Sequence, residues 1–527
     1  MKRRFRGLRR NAPASRYDAV VIGAGVGGLV AANLLAREGL SVLLVERHYM
    51  VGGYCSTFRR GSFTFDASTH FYPLMGNPDT APGRLLADLG ARTEWVTMDP
   101  VDTFHCPDGS RFRVAANLET YRADLDREFP NLRPALDQFF QEVHAAYRHG
   151  LLAYFRGRET EAFQRMESWT VRDVLEKTFP GNDDVSRKLK LVLTGDCPHW
   201  GSPPDRTSFV FDSMLRLSYF LGNYYPVGGS QAFADELART FEERGGHLLM
   251  STRARGIDVR YDRVHGVDIE TLRGPHTGRR LRIATEQVVS NADLGVTYDL
   301  LPEGVVPPGL RDQLRRLRPS FPCFLVHIGL RGVSADELER VQGYYWNDWD
   351  TDRVGLNGLR CKIFCPTIYD PGVAPGPDPD SGSGPGQIVI LQKVLDMEGL
   401  EETELGIGAG PPDSWNDDDW GRHRQRVGSY MFRQLREVLP GIEEHVTVRL
   451  NATADTARRF TLNRAGAMLG WEMSPEQLGR HRPGLDGPVT GLTLTGHWVR
   501  PGGGIVPTLE SARQAAQRVV AGNIVAV

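Results

Sequence analysis

One glycine loop and its flanks most constrain how this chain can fold. YDAVVIG, ending at Gly23, is a short apolar run of the kind that forms a buried parallel strand. Gly23-Ala24-Gly25-Val26-Gly27-Gly28 follows, and LVAANLLAREG then carries apolar residues at helical spacing, with Gly39 placed to end the helix. SVLLVE reads as a second buried strand ending at Glu46. Strand, glycine turn, helix and strand make a βαβ unit. A lone G-x-G-x-x-G is a weak signal, but in this setting each glycine has a task. Gly23 permits the tight turn, Gly25 lets a pyrophosphate approach the backbone, and Gly28 lets helix and strand pack closely. The helix start offers unpaired N–H groups and a positive dipole end to phosphate. Glu46 stands eighteen residues past Gly28, where an acid accepts from ribose hydroxyls. These residues imply a dinucleotide site and leave NAD and FAD both open.

The rest of the composition narrows the class. At 527 residues the chain has room for two or three domains. A formal charge of −2 and a pI near 6.7 exclude the basic domain typical of a nucleic-acid binder. The basic residues are nearly all arginine. Only Lys2, Lys177, Lys188, Lys190, Lys362 and Lys393 are lysine, a bias expected of a GC-rich, bacterial genome. Six scattered cysteines form no zinc box and fit a reducing cytoplasm, the expected location. No metal site is expected. There is no apolar stretch long enough to span a bilayer. The start, MKRRFRGLRR, lacks the apolar core of a secretory signal. Residues 1–16 are expected to be a disordered basic tail. The alternative is a weak hold on anionic lipid, which would put the protein at the inner face of the membrane.

Nucleotide-binding elements come first, in the middle and last. Residues 17–79, 226–299 and 455–527 are expected to form one cofactor domain from discontinuous segments. Residues 80–225, mostly helical in pattern, and 300–454 are expected to form a mixed α+β substrate domain with a helical lid. Two low-complexity stretches, near 370–386 and 406–421, read as flexible surface insertions.

Further motifs decide between NAD and FAD. RHYMVGGYCS follows Glu46, YYPVGGSQAFADELARTFEERGG and VVSNAD lie in the middle, and TLTGHWVRPGGGIVPTLESARQAA lies near the end. As a set these resemble the FAD-dependent phytoene desaturase, carotenoid isomerase and retinol saturase family of amine-oxidase superfamily flavoproteins. The resemblance implies an α/β fold with a GR2-type, Rossmann-like FAD domain. It implies that Arg47 and the pair Gly52-Gly53 run along the dinucleotide, and that Gly503, Gly504 and Ile505 face the flavin's pyrimidine edge. A positive helix end there favours the charge that builds on a reduced flavin. One departure stands out: many relatives carry Gly-Asp before the last loop, where this chain has Gly496-His497.

The substrate side is less explicit. No Ser-His-Asp set or carboxylate pair declares itself, which suits chemistry performed by a cofactor. His70, in ASTHFYP, is the candidate acid or base, with a hydrogen-bonded structural histidine as the alternative. Phe211, Tyr219 and Tyr224 are the candidates to line an apolar tunnel, with core packing as the alternative. The resemblance implies hydride transfer between FAD and a long conjugated polyene, as carotenoid-type desaturation or isomerisation. NAD(P)H is a candidate electron donor for the reductive direction. A reductase or reductive cyclase of a polyene polyketide or macrolactam in secondary metabolism is a second reading, and an amine oxidase a third. The sequence specifies no oligomeric state.

Overall fold

In the computed structural model, residues 13–355, 358–377, 384–397, 405 and 412–525 are described. Residues 1–12 of the expected basic tail, and residues 378–383 and 406–411 of the two low-complexity stretches, lie outside them. Residues 13–16 are not loose. Ser15 accepts a hydrogen bond from the Ala284 N–H, and Arg16 bridges to Ala284, which fastens this segment to a sheet edge.

The first βαβ unit nucleates a five-stranded parallel sheet. Its strand order is Leu492–Leu494, Val288–Ser290, Ala19–Ile22, Val42–Val45 and His247–Leu249. Every one of the four residues of Ala19–Ile22 and of Val42–Val45 is buried, as both faces of such a sheet are covered. Helix Val26–Arg37 is buried along almost its whole length, between helices Ser230–Glu243 and Ile505–Val525. A helix apolar all round must be enclosed on every side. The sheet is thus assembled from the beginning, the middle and the end of the chain. An antiparallel three-stranded sheet spanning Thr252–Arg260, Arg263–Thr271 and Arg280–Ala284 lies between the third and fourth of its strands in sequence.

A seven-stranded sheet forms the second half. Its order is Val446–Ala452, Cys323–Leu330, Gln387–Val394, Leu359–Phe364, Gly343–Trp346, Asp102–His105 and Arg111–Val114. Helix Asp417–Val438 covers one face, burying Cys361, Ile363, Val389 and Leu391. The other face looks toward the nucleotide-binding half. Helices between Leu118 and Phe220 form a separate cluster with its own apolar core. Their starts are well specified: Thr170 and Asp173 close a capping box, and Asp183 caps its helix by accepting from the Val185 and Ser186 N–H groups. Helix Arg133–Gly150 runs into a π-helical turn, Leu151–Phe155, a form that recurs at functional sites. Among the described residues, no helix is long and apolar enough to cross a membrane.

Candidate active site

The glycine loop is built as its spacing demands. Gly23 has φ of +92°, open to glycine and strained for other residues. A Cβ on Gly28 would overlap the Gly23 carbonyl oxygen, so this glycine exists for packing. Gly25 is different, because a Cβ there would meet only the Asn291 amide, 3.0 Å away. It caps helix Val26–Arg37 with no side-chain partner, leaving the first N–H groups to whatever fills the groove. Glu46 is folded back under the loop. One carboxylate oxygen accepts from the Ala24 N–H and the other from the His48 N–H, each at 2.7 Å. Burial raises its pKa, and those N–H donors oppose the shift. A carboxylate has about four lone-pair sites, so two remain for a ligand.

The second loop lies against the first. The Gly52 N–H donates to the Ala24 carbonyl at 2.8 Å, and Gly53 faces the Gly25 Cα. Both glycines have positive φ. Arg47 reaches across the groove to the Arg459 carbonyl at 3.0 Å. From the far end of the chain, Gly496, His497, Gly503, Gly504 and Ile505 join the same cavity wall. His497 is half-buried beside the Arg482 guanidinium, and its pKa is pushed down to about 3, chiefly by desolvation. Its ring is therefore neutral and cannot supply the negative charge of the aspartate it replaces. Asn291, whose importance the sequence did not announce, wedges between the first glycine loop and Gly496. The helix N-terminus, the glycine cradle and the buried acid fit a dinucleotide laid along this groove.

The groove continues into a cavity of about 2530 Å³. Ordinary small-molecule sites occupy roughly 300–1,000 Å³, so this space can hold a dinucleotide and a second long molecule together. Helix Phe209–Phe220 contributes one face to it. Phe211, Met214, Leu215, Ser218 and Tyr219 line the wall at the three- and four-residue spacing of a single helical stripe. The π-helical turn adds Leu151, Leu152, Tyr154 and Phe155.

Tyr224 does not belong to this wall. The helix ends before it, and Tyr224 begins a short strand pairing with Trp95–Thr97. Its ring packs beside Trp95 and Gly76, away from the cavity. The aromatic run was continuous in sequence, but a change from helix to strand splits its directions. Tyr225 likewise turns inward, where its hydroxyl donates to Asp66 at 2.5 Å. The other Asp66 oxygen accepts from the Ser230 N–H at 2.8 Å. Asp66 is thus a fastening between loop and helix, and it does not line the cavity.

His70 reaches the inner chamber of the cavity. Its Nδ1 stands 4.0 Å from Asp66, too far for a hydrogen bond, and neither ring nitrogen has a partner. Burial, helped by nearby His327 and Lys362, holds its pKa well below the ordinary histidine value. The ring is neutral and packs at a tilt against Phe364, with centroids 4.6 Å apart.

Sequence reasoning passed over the residues around it. Register aligns Ala452, Leu325, Gln392, Lys362 and Tyr344 as one row across neighbouring strands, and all five line the cavity. Lys362 is buried and bonds Asp102 at 2.5 Å and the Tyr344 hydroxyl at 3.1 Å, with Phe71 3.8 Å from its ammonium. His199, from the short turn Cys197–Trp200, closes the chamber; its ring nitrogens also have no partner. A signal was present. In a chain with so few lysines, Lys362 and Lys393 sit inside the apolar strand runs LRCKIF and QIVILQKV.

Comparison with known proteins agrees with this architecture. The model of the family described as flavin containing amine oxidoreductase matches residues 26–520. The neurosporene-forming phytoene desaturase of Rhodobacter capsulatus is 26% identical over 537 residues, covering 95% of this chain and 93% of that protein. Prolycopene isomerase 2 of an Oncidium hybrid is 24% identical, covering 96% of this chain and 84% of the relative. All-trans-retinol 13,14-reductase of Rattus norvegicus is 29% identical over 385 residues, 67% of this chain. The match covers 59% of that reductase, so the chain spans about three-fifths of its length. Among solved structures, an oxidoreductase from Methanosarcina mazei aligns at a TM-score of 0.64 and 16% identity, over 95% of this chain and 99% of the other. A putrescine oxidase variant aligns at 0.62 and 14% identity, over 98% and 100%. These two show the shared fold. With the family's description covering nearly the whole chain, and its glycine loops converging on one groove, the protein belongs to the flavin-containing amine oxidoreductase family, with FAD as the cofactor.

Proposed function

We propose that the protein is an FAD-dependent oxidoreductase that exchanges a hydride with a long conjugated polyene, in carotenoid-type desaturation or isomerisation. The observation that carries this reading is one large continuous cavity, which joins the glycine groove to an apolar helix stripe and to His70, His199 and Lys362. The phytoene desaturase and prolycopene isomerase relatives, matched over nearly the whole chain, support a polyene substrate.

In this reading Gly23, Gly25, Gly52 and Gly53 bring backbone to the pyrophosphate, and Glu46 holds the ribose. Arg47 borders the same groove. Gly496, His497, Gly503, Gly504 and Ile505 form the wall for the ring system. Bound FAD supplies the hydride acceptor or donor, so the protein's own tasks are placement and exclusion of water. Phe211, Met214, Leu215 and Tyr219 hold the chain of the polyene. His70, neutral and buried, is positioned to take or return a proton in the chamber. Among the described residues, none of the carboxylates that line the cavity, Glu46, Asp79, Asp88 and Glu510, comes from the seven-stranded sheet or the turn Cys197–Trp200 beside His70, which counts against an amine substrate there.

Purified protein reconstituted with FAD should show the visible spectrum of bound oxidised flavin. Anaerobic addition of phytoene should bleach it, or dithionite-reduced protein should convert prolycopene without net oxidation. Protein that retains no flavin, or flavin that responds to no polyene, would end this reading.

A further inference from the structure

The inner chamber holds more polar atoms than a hydrocarbon can satisfy. Both ring nitrogens of His70, both of His199, Nδ1 of His327 and the side-chain nitrogen of Gln392 are buried without a hydrogen-bond partner among the described residues. All four side chains line the same cavity. They arrive from three separate places: the loop after Asp66, the turn Cys197–Trp200 and the face of the seven-stranded sheet. A buried polar group left unpaired costs about 1–3 kcal/mol, and native proteins carry only a few per hundred residues. Six such atoms around one space is a concentration that packing alone does not explain. Behind them, Lys362 is clamped by Asp102 and Tyr344, so its amine end is held in place at the chamber floor.

We propose that this chamber is a hydrogen-bonding subsite for an oxygen-bearing end of the polyene, a hydroxyl, carbonyl or enol, with His70, His199 and Gln392 as its partners. The proposal rests on the polyene reading and specifies its substrate as an oxygenated polyene. Burial keeps the His70 and His199 rings neutral, each with its pKa well below the ordinary value. A neutral imidazole offers one donor and one acceptor, which suits a hydroxyl from either side. The Gln392 amide nitrogen adds a donor for a carbonyl oxygen. A hydrocarbon entering the same space would displace water and leave all six atoms unpaired. The oxygen also sets direction: the polar end lies inward at Lys362, and the apolar chain runs out past Tyr219 and Phe211.

The test compares equilibrium binding of two probes to the FAD-loaded protein, read by perturbation of the flavin spectrum. One is all-trans-retinol. The other is axerophthene, the hydrocarbon with the same ring and polyene but no hydroxyl. Retinol should bind about tenfold tighter, the worth of one buried hydrogen bond, even though the hydrocarbon gains more from leaving water. His199→Phe and Gln392→Leu should each pull the ratio toward one while changing the hydrocarbon's affinity by less than about threefold. Equal binding of both probes by the unaltered protein overturns the oxygen subsite and leaves the polyene reading standing. Binding of neither probe removes the polyene reading, and this proposal with it. Should a variant fail to fold, the ratio measured on the unaltered protein still decides.

Discussion

The two halves of this molecule line their shared cavity by different means. The parallel-sheet half uses backbone. Gly23, Gly25, Gly52 and Gly53 contribute by having no side chain, and the helix start contributes unpaired N–H groups. The seven-stranded half uses side chains. Tyr344, Lys362, Gln392 and Leu325 come from four strands and meet only because pairing aligns them in one row. A backbone site is local in sequence and tolerates little change at its glycines. A row on a sheet is scattered in sequence and can be rewritten one residue at a time.

The sharpest way to break that comparison is within the first glycine loop. Gly28→Ala places a methyl group inside the Gly23 carbonyl, where only backbone movement makes room. It should destabilise the fold by about 3 kcal/mol or more, seen as a lowered melting temperature and loss of soluble protein. Gly25→Ala should act differently. Its φ is −67° and its Cβ meets only the end of the Asn291 side chain, so the fold survives. In the proposed site the methyl stands where the pyrophosphate would approach, so FAD retention should fall at least tenfold in apoprotein reconstitution. Equal melting and equal FAD binding in the two variants would erase the distinction between packing and cradling glycines.

A second effect lies in the side-chain half and depends on pH. His327 is buried, donates from Nε2 to the Asp66 carbonyl at 2.9 Å, and has its pKa lowered to about 4, chiefly by burial. In the unfolded chain it titrates near its ordinary value of 6.5. Between these two values the unfolded state holds a proton that the native state does not. Stability therefore falls as pH drops from about 6.5 to 4, by about 3 kcal/mol from this residue alone. His327→Asn cannot titrate, so its stability should fall less steeply over that window in denaturant titrations at stepped pH. Parallel curves for both proteins would mean that His327 is charged in the native state.

The same contrast governs what could be read beforehand. Gly23–Gly28, Glu46 and the final glycine run were legible because each motif sits within a few residues and its physics is local. The antiparallel pairing that places Lys362 beside Gln392 and Tyr344 was not legible, because register between distant strands is set by the whole core. Lys362 looked like one of six lysines in an arginine-rich chain. His70 was noticed, but its partnerless nitrogens follow from what surrounds it. Asn291 was seen as part of a buried strand ending, and its contact with Gly496 depends on two strands meeting in the parallel sheet. The aromatic run misled for a local reason: one helix end, at Leu221, separates Tyr219 from Tyr224.

Glu46 tests whether the backbone half needs any side chain at all. Glu46→Gln replaces one acceptor oxygen by a donor, so it can serve only one of the Ala24 and His48 N–H groups. Losing a charge-assisted bond costs about 1.5–3 kcal/mol, so the Kd for FAD should rise about tenfold or somewhat more. Titration of apoprotein with FAD checks this. An unchanged Kd would make Glu46 a brace for the loop and no more.

The smallest expected effect separates the wall from its look-alike. Phe211 and Tyr224 are both aromatic, both half-buried and close in sequence. Phe211 stands on the cavity stripe with Met214 and Leu215, whereas Tyr224 packs on Trp95 beyond the helix end. With the proposed polyene in the cavity, Phe211→Leu would remove part of an apolar contact while keeping the helix, a loss of about 1 kcal/mol. That should raise KM roughly fivefold with little change in kcat, because the contact is the same in ground and transition states. Tyr224→Phe removes only a hydroxyl outside the cavity and should leave both constants within about twofold. The two substitutions share a background, a substrate and an assay, so the difference between them is the measurement. A Tyr224→Phe enzyme with the larger KM would put the substrate on the other side of helix Phe209–Phe220, and the cavity stripe would then be core.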